Sequence, residues 1–202
     1  MTLDELVQDH VTPLLAGKGF KTRGRSHTRV IGGFDHRVVV SKGQRSVQGK
    51  FCLSLFAHPL IEGYPGLPDL PLRSGDHWLR HRLAPSGLDD RWWAADRLSS
   101  SDLDEITELL ADPLDAWFSG TASLEQFSDS WTRVVFDLEF AAGRLGLLPA
   151  RLAYLHAAVF AAQGKRATAC KVADRALQAC GPQHTALRAW IDAFQGDLSC
   201  DS

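Results

Sequence analysis

The period of the hydrophobic pattern changes near Ser99, and this change restricts the chain to a few fold classes. Within residues 50–57, Phe51, Leu53 and Leu55 recur at every second position, which is typical of a strand with one buried face. After Ser99, apolar residues recur every three or four positions, which is typical of helices. We therefore predict an α+β fold: an N-terminal helix packed on an antiparallel sheet of four to five strands, followed by a helical C-terminal region.

The first helix has a recognisable beginning and a proline in its middle. Thr2 and Glu5 match a capping box, in which each side chain accepts a hydrogen bond from the backbone N–H of the other residue. Pro13 lacks an N–H group and is expected to kink or interrupt the helix. Gly17 or Gly19 is expected to end it.

Five segments before Ser99 have the composition of strands. The first three are predicted to form an antiparallel meander, and the last two to be joined by a turn at residues 85–87. A proline-rich loop over residues 58–76 separates the two groups, and loops of this length are often functional. The predicted strands cover residues 22–30, 34–41, 50–57, 77–83 and 91–98.

Helical signals dominate the rest of the chain. Suitable N-caps are Ser99, Ser100 and Ser101, and a helix is expected from there to residue 118, with an interruption at Pro113. A second helix is predicted over residues 124–145, and three more begin at positions 149, 165 and 183. This pattern predicts two regions, an α+β domain of residues 1–120 and a helical region of residues 121–202.

Charge is sorted by position along the chain. Residues 18–50 carry nine Lys or Arg against one acid, whereas residues 99–145 carry ten acids against two Arg, and the net charge is only −2. Oppositely charged blocks favour recognition of charged partners. A nucleic-acid partner is not expected, because the basic block contains only Phe20 and Phe34 as aromatic residues and the pI is near 6.4.

The cysteines and the hydropathy pattern indicate where such a protein resides. None of the four cysteines lies in a Cys-x-x-Cys pair, and we expect all four to be free thiols. No apolar run is long enough for a membrane span, and the N-terminus does not have the pattern of a signal peptide. The expectation is a cytoplasmic protein without a membrane partner.

The sequence contains none of the common catalytic motifs, so we predict no catalytic residue, cofactor or metal, while leaving open whether the protein is an enzyme. His77 and His81 are four residues apart, but they lie in a predicted strand without a third ligand nearby, which favours surface or cross-strand roles. Asp89 and Asp90 are more consistent with shaping a turn or pairing with arginine than with acid–base chemistry.

Alternating tryptophan and arginine side chains mark a possible ligand site in the sheet. Trp78, Arg80 and Arg82 share one strand face, where they form a cation–π ladder, a carboxylate or phosphate clamp, or an ordinary solvated face. Trp92 and Trp93 are adjacent and therefore point to opposite faces, so that one enters the core. The other lies under the proline-rich loop or is exposed as a binding anchor.

Short motifs in residues 1–120 resemble a bacterial family catalogued only as domain of unknown function 4304. The resemblance implies a fold and no catalytic role. The helical tail also resembles one tetratricopeptide-type helix pair, although we favour a simple alanine-rich helical hairpin. The first resemblance rests on Gly19-Phe20-Lys21, Gly24-Arg25, Arg29, residues 51–55, residues 78–83 and residues 90–93, and the second on Ala157, Phe160, Gly164, Ala169, Ala176 and Pro182.

Two main functional hypotheses follow. The first is a non-enzymatic bacterial binding protein, most concretely an immunity protein that neutralises a cognate toxin by occluding its active site. The second is an enzyme or small-ligand-binding protein with a pocket between the sheet and the proline-rich loop, around Trp78, Arg80, Arg82 and Trp93. An adaptor whose tail binds a peptide is a weaker third. In the first hypothesis, the partner-binding residues are Asp102, Asp104, Glu105, Glu108 and Asp112.

Overall fold

A computed structural model describes residues 1–67, 79–86, 88, 90–145 and 147–200. The fold is α+β, as predicted, with an N-terminal helix, an antiparallel sheet and a helical C-terminal region. The strands are β1 (Lys21–Arg23), β2 (Ser26–Ile31), β3 (Phe34–Lys42), β4 (Lys50–Pro59), β5 (Leu79–Leu83) and β6 (Trp93–Ala94). The helices are α1 (Leu3–Leu6, Val7–Val11 and Thr12–Ala16), α2 (Ser100–Leu109), α3 (Asp112–Ser119), α4 (Leu124–Asp129), α5 (Trp131–Val134), α6 (Leu138–Arg144), α7 (Pro149–Ala162), α8 (Arg166–Gln178) and α9 (Thr185–Asp197).

Helix α1 begins at the predicted capping box and passes through Pro13 without ending. The Glu5 N–H donates to Thr2 Oγ1 at 3.2 Å, and the Thr2 N–H donates to Glu5 Oε2 at 2.6 Å. Its middle part, Val7–Val11, is a π-helix, in which the Thr12 N–H donates to the carbonyl of Val7. Because proline cannot donate a helical hydrogen bond, the widened turn lets the helix continue to Ala16.

The predicted first strand, residues 22–30, is in fact two strands. Gly24 has a φ of 59°, a left-handed conformation that glycine adopts readily, and it reverses the chain. As a result β1 pairs with β2, with Arg23 opposite Ser26. The sheet order is β1-β2-β3-β4-β5, and the predicted meander is confirmed from β2 through β4.

The predicted hairpin between residues 77–83 and 91–98 is wrong, because both segments pair with β4 instead of with each other. β5 lies opposite residues 53–57, and the two-residue β6 lies opposite Lys50 and Phe51. β4 is ten residues long, so one of its edges accommodates two short strands in succession. His77 and Trp78 lie outside the described residues.

One face of the sheet lies against helices and forms the main core. Phe51, Leu53 and Leu55 are all buried on this face, in the predicted alternation. In β3, His36 lies on the same face, and its ring stacks on Phe118 of α3 at 4.2 Å. The core therefore includes a histidine that is enclosed between a strand and a helix.

The long helix predicted over residues 124–145 is broken into several parts. Asp137 has φ −140° and ψ 65°, which are not helical angles, and its side chain accepts a hydrogen bond from the Phe140 N–H. This side-chain cap starts α6 as a separate helix after a 3₁₀ turn, Val135–Asp137. Ser99, by contrast, caps α2 as predicted, with Asp102 completing a capping box.

Helix α7 is the most enclosed helix in the described part of the chain. Ten of its residues are buried, including Tyr154, whose hydroxyl donates to the carbonyl of Pro65 at 2.6 Å. Phe34 of β3 packs on Phe127 of α4, with ring centroids 5.5 Å apart. The sheet and the helical region thus share one buried cluster. The division at residue 120 stays a prediction.

The prediction of four free cysteines is wrong for one pair. Cys170 in α8 and Cys200 after α9 form a disulfide with Cα atoms 5.6 Å apart, which is within the usual range. Helix α9 packs against α8 and ends at Asp197, three residues before Cys200. This packing brings together two cysteines that are thirty residues apart in sequence. Cys52 and Cys180 are free and buried.

Candidate functional site

A groove runs beside β5, and His81 and Arg144 lie in the walls of all three of its adjoining cavities. The cavities have volumes of about 400, 430 and 530 Å³. Each volume is in the range of small-molecule pockets. We call this feature the His81–Arg144 groove.

The groove forms because the end of α6 comes to the outer edge of β5. The Arg80 N–H donates to the carbonyl of Leu145 at 3.0 Å, which ties the residue after α6 to the strand. Arg80 and His81 are successive residues of a strand and therefore point to opposite faces. Both line the first cavity together with Gly143, so this cavity follows the strand edge.

Two arginines give the groove a positive charge. Arg80 and Arg144 are both exposed, and neither forms an ion pair with any of the residues that the structure describes. Arg82 also lines the first cavity, but its guanidinium donates to Asp90 Oδ2 at 2.6 Å. The charge available to a ligand is therefore that of Arg80 and Arg144.

His81 lies between the charged and the apolar parts of the groove. Its ring is nearly parallel to Trp117 of α3, with centroids 6.0 Å apart. Burial lowers the pKa of His81, and the nearby charge of Arg144 lowers it further. The imidazole is therefore neutral at neutral pH, and it offers one N–H donor and one acceptor.

The second cavity is largely apolar. Pro113, Ala116 and Trp117 of α3 form one wall, and Phe140 and Ala141 of α6 form part of the other. The Phe140 side chain is 62% exposed, and the Arg144 guanidinium lies 5.8 Å from its ring centroid. An exposed aromatic ring beside an arginine is a common feature of binding surfaces.

Trp117 has an unusual indole nitrogen. Nε1 is buried and has no hydrogen-bond partner among the described residues. Buried polar groups are nearly always paired, so an unpaired buried donor is a notable feature.

Of the four residues predicted as a ligand site, two line the groove and one lies in the core. Arg80 and Arg82 line the groove, whereas Trp78 lies outside the described residues. Trp93 is only 2% exposed, stacks on Phe51 at 5.5 Å and donates from Nε1 to Glu105 Oε1 at 2.8 Å. It belongs to the core and not to the groove, because it lies opposite Phe51 on the buried face of the sheet.

The neighbouring Trp92 is the partly exposed member of the pair. Its Nε1 donates to Asp90 Oδ2 at 2.7 Å, and Arg82 lies 4.8 Å from its ring centroid. Asp90 thus pairs with an arginine, as one of the predicted alternatives has it, whereas Asp89 lies outside the described residues. The cation–π contact of Arg82 is with Trp92, a pair that the predicted ladder of Trp78, Arg80 and Arg82 did not include.

The five acids predicted to bind a partner divide into two groups. Asp102 caps α2 and pairs with Arg91, and Glu105 accepts hydrogen bonds from Arg91 and Trp93, so both are engaged within the fold. The other three are exposed and form no ion pair with a described residue. Asp104 and Glu108 lie four residues apart on α2, and Asp112 is the first residue of α3; we call these three residues the acidic row.

The two charged blocks of the sequence are partly neutralised by each other and by local partners. Lys18 from the basic block pairs with Asp115 from the acidic block at 2.5 Å. Arg25 pairs with Asp4 at 2.8 Å, and Arg37 with Asp35 at 3.3 Å. The surface is therefore less strongly divided by charge than the sequence.

Sequence reasoning did not identify Arg144, Trp117 and Phe140 as site residues. His81 was weighed as a metal ligand and assigned to a surface or cross-strand role. Among the described residues, no group of three His, Cys, Asp or Glu is placed to hold a metal. The one available signal was that Arg144 is among the few basic residues in the acidic block. Nothing local connects it to β5, which is more than sixty residues earlier.

Comparisons with family models, with curated proteins and with solved structures found no match. The resemblance to domain of unknown function 4304 and the tetratricopeptide-like pattern therefore stay predictions. Within the described part of the chain, no single helix is long and apolar enough to cross a membrane.

Proposed function

We propose that this protein is a recognition protein that binds an oxyanion in the His81–Arg144 groove. The observation that supports the proposal is the presence of Arg80 and Arg144, two exposed guanidinium groups without an acidic partner among the described residues, in the wall of one cavity. Guanidinium groups match carboxylate, phosphate and sulfate in shape and charge.

The pKa of His81 supports the same proposal. Burial is the main cause of the lowered pKa of His81, and the nearby positive charge of Arg144 lowers this pKa further. A bound anion would offset that charge and would also accept a hydrogen bond from the imidazole. The pKa of His81 should therefore rise when the groove is occupied.

We expect sulfate to raise the pKa of His81 measurably compared with chloride at equal ionic strength. Sulfate remains a dianion over the pH range in which histidine titrates, so the effect isolates binding from protonation of the ligand. The measurement is an NMR titration of the His81 ring signals in both salts. In the double variant Arg80→Gln/Arg144→Gln, the difference between the salts should disappear.

The control is Arg23→Gln, which removes an exposed charge from β1 at the opposite edge of the sheet. This variant should retain the full sulfate effect. A sulfate effect that persists in the double variant, or an absence of any effect in the wild-type protein, would reject the proposed site.

The acidic row favours a second candidate function, binding of a basic protein surface. Its most concrete form is an immunity protein that occludes the active site of a cognate toxin. Asp104, Glu108 and Asp112 are exposed and are not neutralised by any described residue. Acids spaced in this way would attract a cleft that binds a polyanion.

Reversing the acidic row to lysine is expected to weaken protection against such a toxin more than tenfold, because like charges would then face each other. Stability should change little, since exposed helical charges contribute little to it. The measurement is survival of cells that co-express a toxin encoded beside this gene. The matched control reverses Arg23 and Lys42 to Glu. Full protection by the acidic-row variant would eliminate this candidate.

A further inference from the structure

We propose that the ligand of the His81–Arg144 groove is an amphipathic small molecule, in which an oxyanion is attached to a flat aromatic ring. This inference rests on the proposed function and adds the chemical class of the ligand. The anion would lie between Arg80 and Arg144. The ring would enter the apolar cavity between Trp117 and Phe140.

The first argument is the division of the groove into two chemically different parts. The cavity beside Arg80 is lined mainly by polar groups, including Ser54 and Arg82, whereas the next cavity is lined by Pro113, Ala116 and aromatic rings. A simple inorganic anion would occupy only the first. A ligand with an apolar portion is needed to exclude water from the second.

The second argument concerns how close the two parts are. His81 and Arg144 each contribute to the walls of both cavities. An anion bound to Arg144 is therefore at the boundary of the apolar cavity, and a ring attached directly to that anion reaches it. The two cavities have volumes of about 400 and 430 Å³, which suits a small molecule.

The third argument concerns Phe140 and Trp117, two aromatic residues in the wall of the second cavity. Phe140 leaves more than half of its side chain exposed, and Trp117 Nε1 is a buried donor with no partner among the described residues. A ligand ring packed on Phe140 would remove apolar surface from water. Trp117 supplies a second aromatic surface to the same cavity.

The test compares three probes by isothermal titration calorimetry: 1-naphthyl sulfate, 1-naphthol and sodium sulfate. We expect 1-naphthyl sulfate to bind at least tenfold more tightly than either fragment, because it fills both cavities. Phe140→Ala should lower the affinity for 1-naphthyl sulfate several-fold while leaving the effect of sulfate on His81 unchanged. Because Phe140 is largely exposed, this variant is expected to fold normally.

A second pair of variants separates the two ends of the ligand. Arg80→Gln should weaken binding of 1-naphthyl sulfate about tenfold without changing the affinity for 1-naphthol, because Arg80 lines the first cavity and not the apolar one. Trp117→Phe keeps an aromatic residue but makes the wall of the apolar cavity smaller, so it should weaken 1-naphthyl sulfate and leave sodium sulfate unaffected, because Trp117 lines the second cavity and not the first. Arg23→Gln is again the control that should change nothing.

The outcomes distinguish this inference from the proposed function on which it rests. If sulfate raises the pKa of His81 but 1-naphthyl sulfate binds no more tightly than sulfate, the aromatic ligand class is wrong and the oxyanion site stands. If neither probe binds, both are wrong. If a hexaglutamate peptide binds more tightly than 1-naphthyl sulfate, the groove is a protein-binding site and the small-molecule inference is overturned.

Discussion

Lowering the pH from 7.5 to 5 is expected to reduce the free energy of unfolding by about 4 kcal/mol, about 2 kcal/mol from each of two buried histidines. Burial lowers the pKa of His36 to about 4 and that of His156 to about 3, from an ordinary value near 6.5. In the unfolded chain both rings bind a proton as the pH falls through 6.5. In the folded protein they stay neutral until a much lower pH, so acid favours the unfolded state.

The surroundings of His156 explain why its charged form is so unfavourable. The ring stacks on Phe127 at 4.1 Å and lies 5.1 Å from Trp131, and neither ring nitrogen has a hydrogen-bond partner among the described residues. His36 differs, because its Nε2 contacts both the carbonyl and the hydroxyl of Thr121 at 2.9 Å. Burial nevertheless outweighs these hydrogen bonds in lowering its pKa.

The measurement is urea denaturation at pH 7.5 and pH 5, followed by tryptophan fluorescence. His156→Leu removes the titrating ring and should reduce the loss of stability between the two pH values by about 2 kcal/mol. The control, His10→Gln, changes a partly exposed histidine of α1 and should leave the loss unchanged. A pH dependence that is identical in His156→Leu and the wild-type protein would contradict the assignment.

Replacing Trp93 with alanine is expected to lower the free energy of unfolding by about 3–5 kcal/mol, the usual range for a large aromatic side chain removed from a core. The ring is almost fully buried and stacks on Phe51. Its loss would leave a cavity and would also remove the hydrogen bond from Nε1 to Glu105. Both effects destabilise the contact between the edge of the sheet and α2.

Trp92→Ala provides the matched comparison, because it removes the same side chain one residue earlier. Trp92 is partly exposed, and its Nε1 bonds to Asp90, which also pairs with Arg82. The expected loss is about 1 kcal/mol. Urea denaturation of the two variants tests the difference. Equal losses would mean that the two tryptophans are not divided between the core and the surface as described.

Features that depend on a few neighbouring residues were predictable. The capping box at Thr2, the N-cap at Ser99 and the alternation of Phe51, Leu53 and Leu55 were predicted from the sequence and are present in the structure. The physical reason is that a cap joins residues three apart, and alternation follows from the geometry of one strand. Each of these patterns is complete within about ten residues.

Strand pairing and helix breaks were predicted less well. The turn at Gly24 and the helix break at Asp137 each depend on one residue with an irregular backbone conformation. At both positions the hydrophobic pattern continues through the break, so it predicts one uninterrupted strand or helix. The placement of β5 and β6 on the same strand depends on the length of β4 and on the burial of Trp93 against Phe51. The hydrophobic pattern of either short strand alone is compatible with a hairpin.

By itself, the sequence determined the α+β class, the caps of α1 and α2 and the buried face of β4, because local hydrogen bonds and side-chain period specify them. Only the tertiary structure joined Cys170 to Cys200 and brought Arg80 of β5 next to Arg144 of α6. These contacts link residues that are thirty or more positions apart, and they arise from how helices pack on the sheet. Packing of this kind leaves no periodic signal in the chain, and it is what places an arginine from the acidic block in the wall of a positively charged groove.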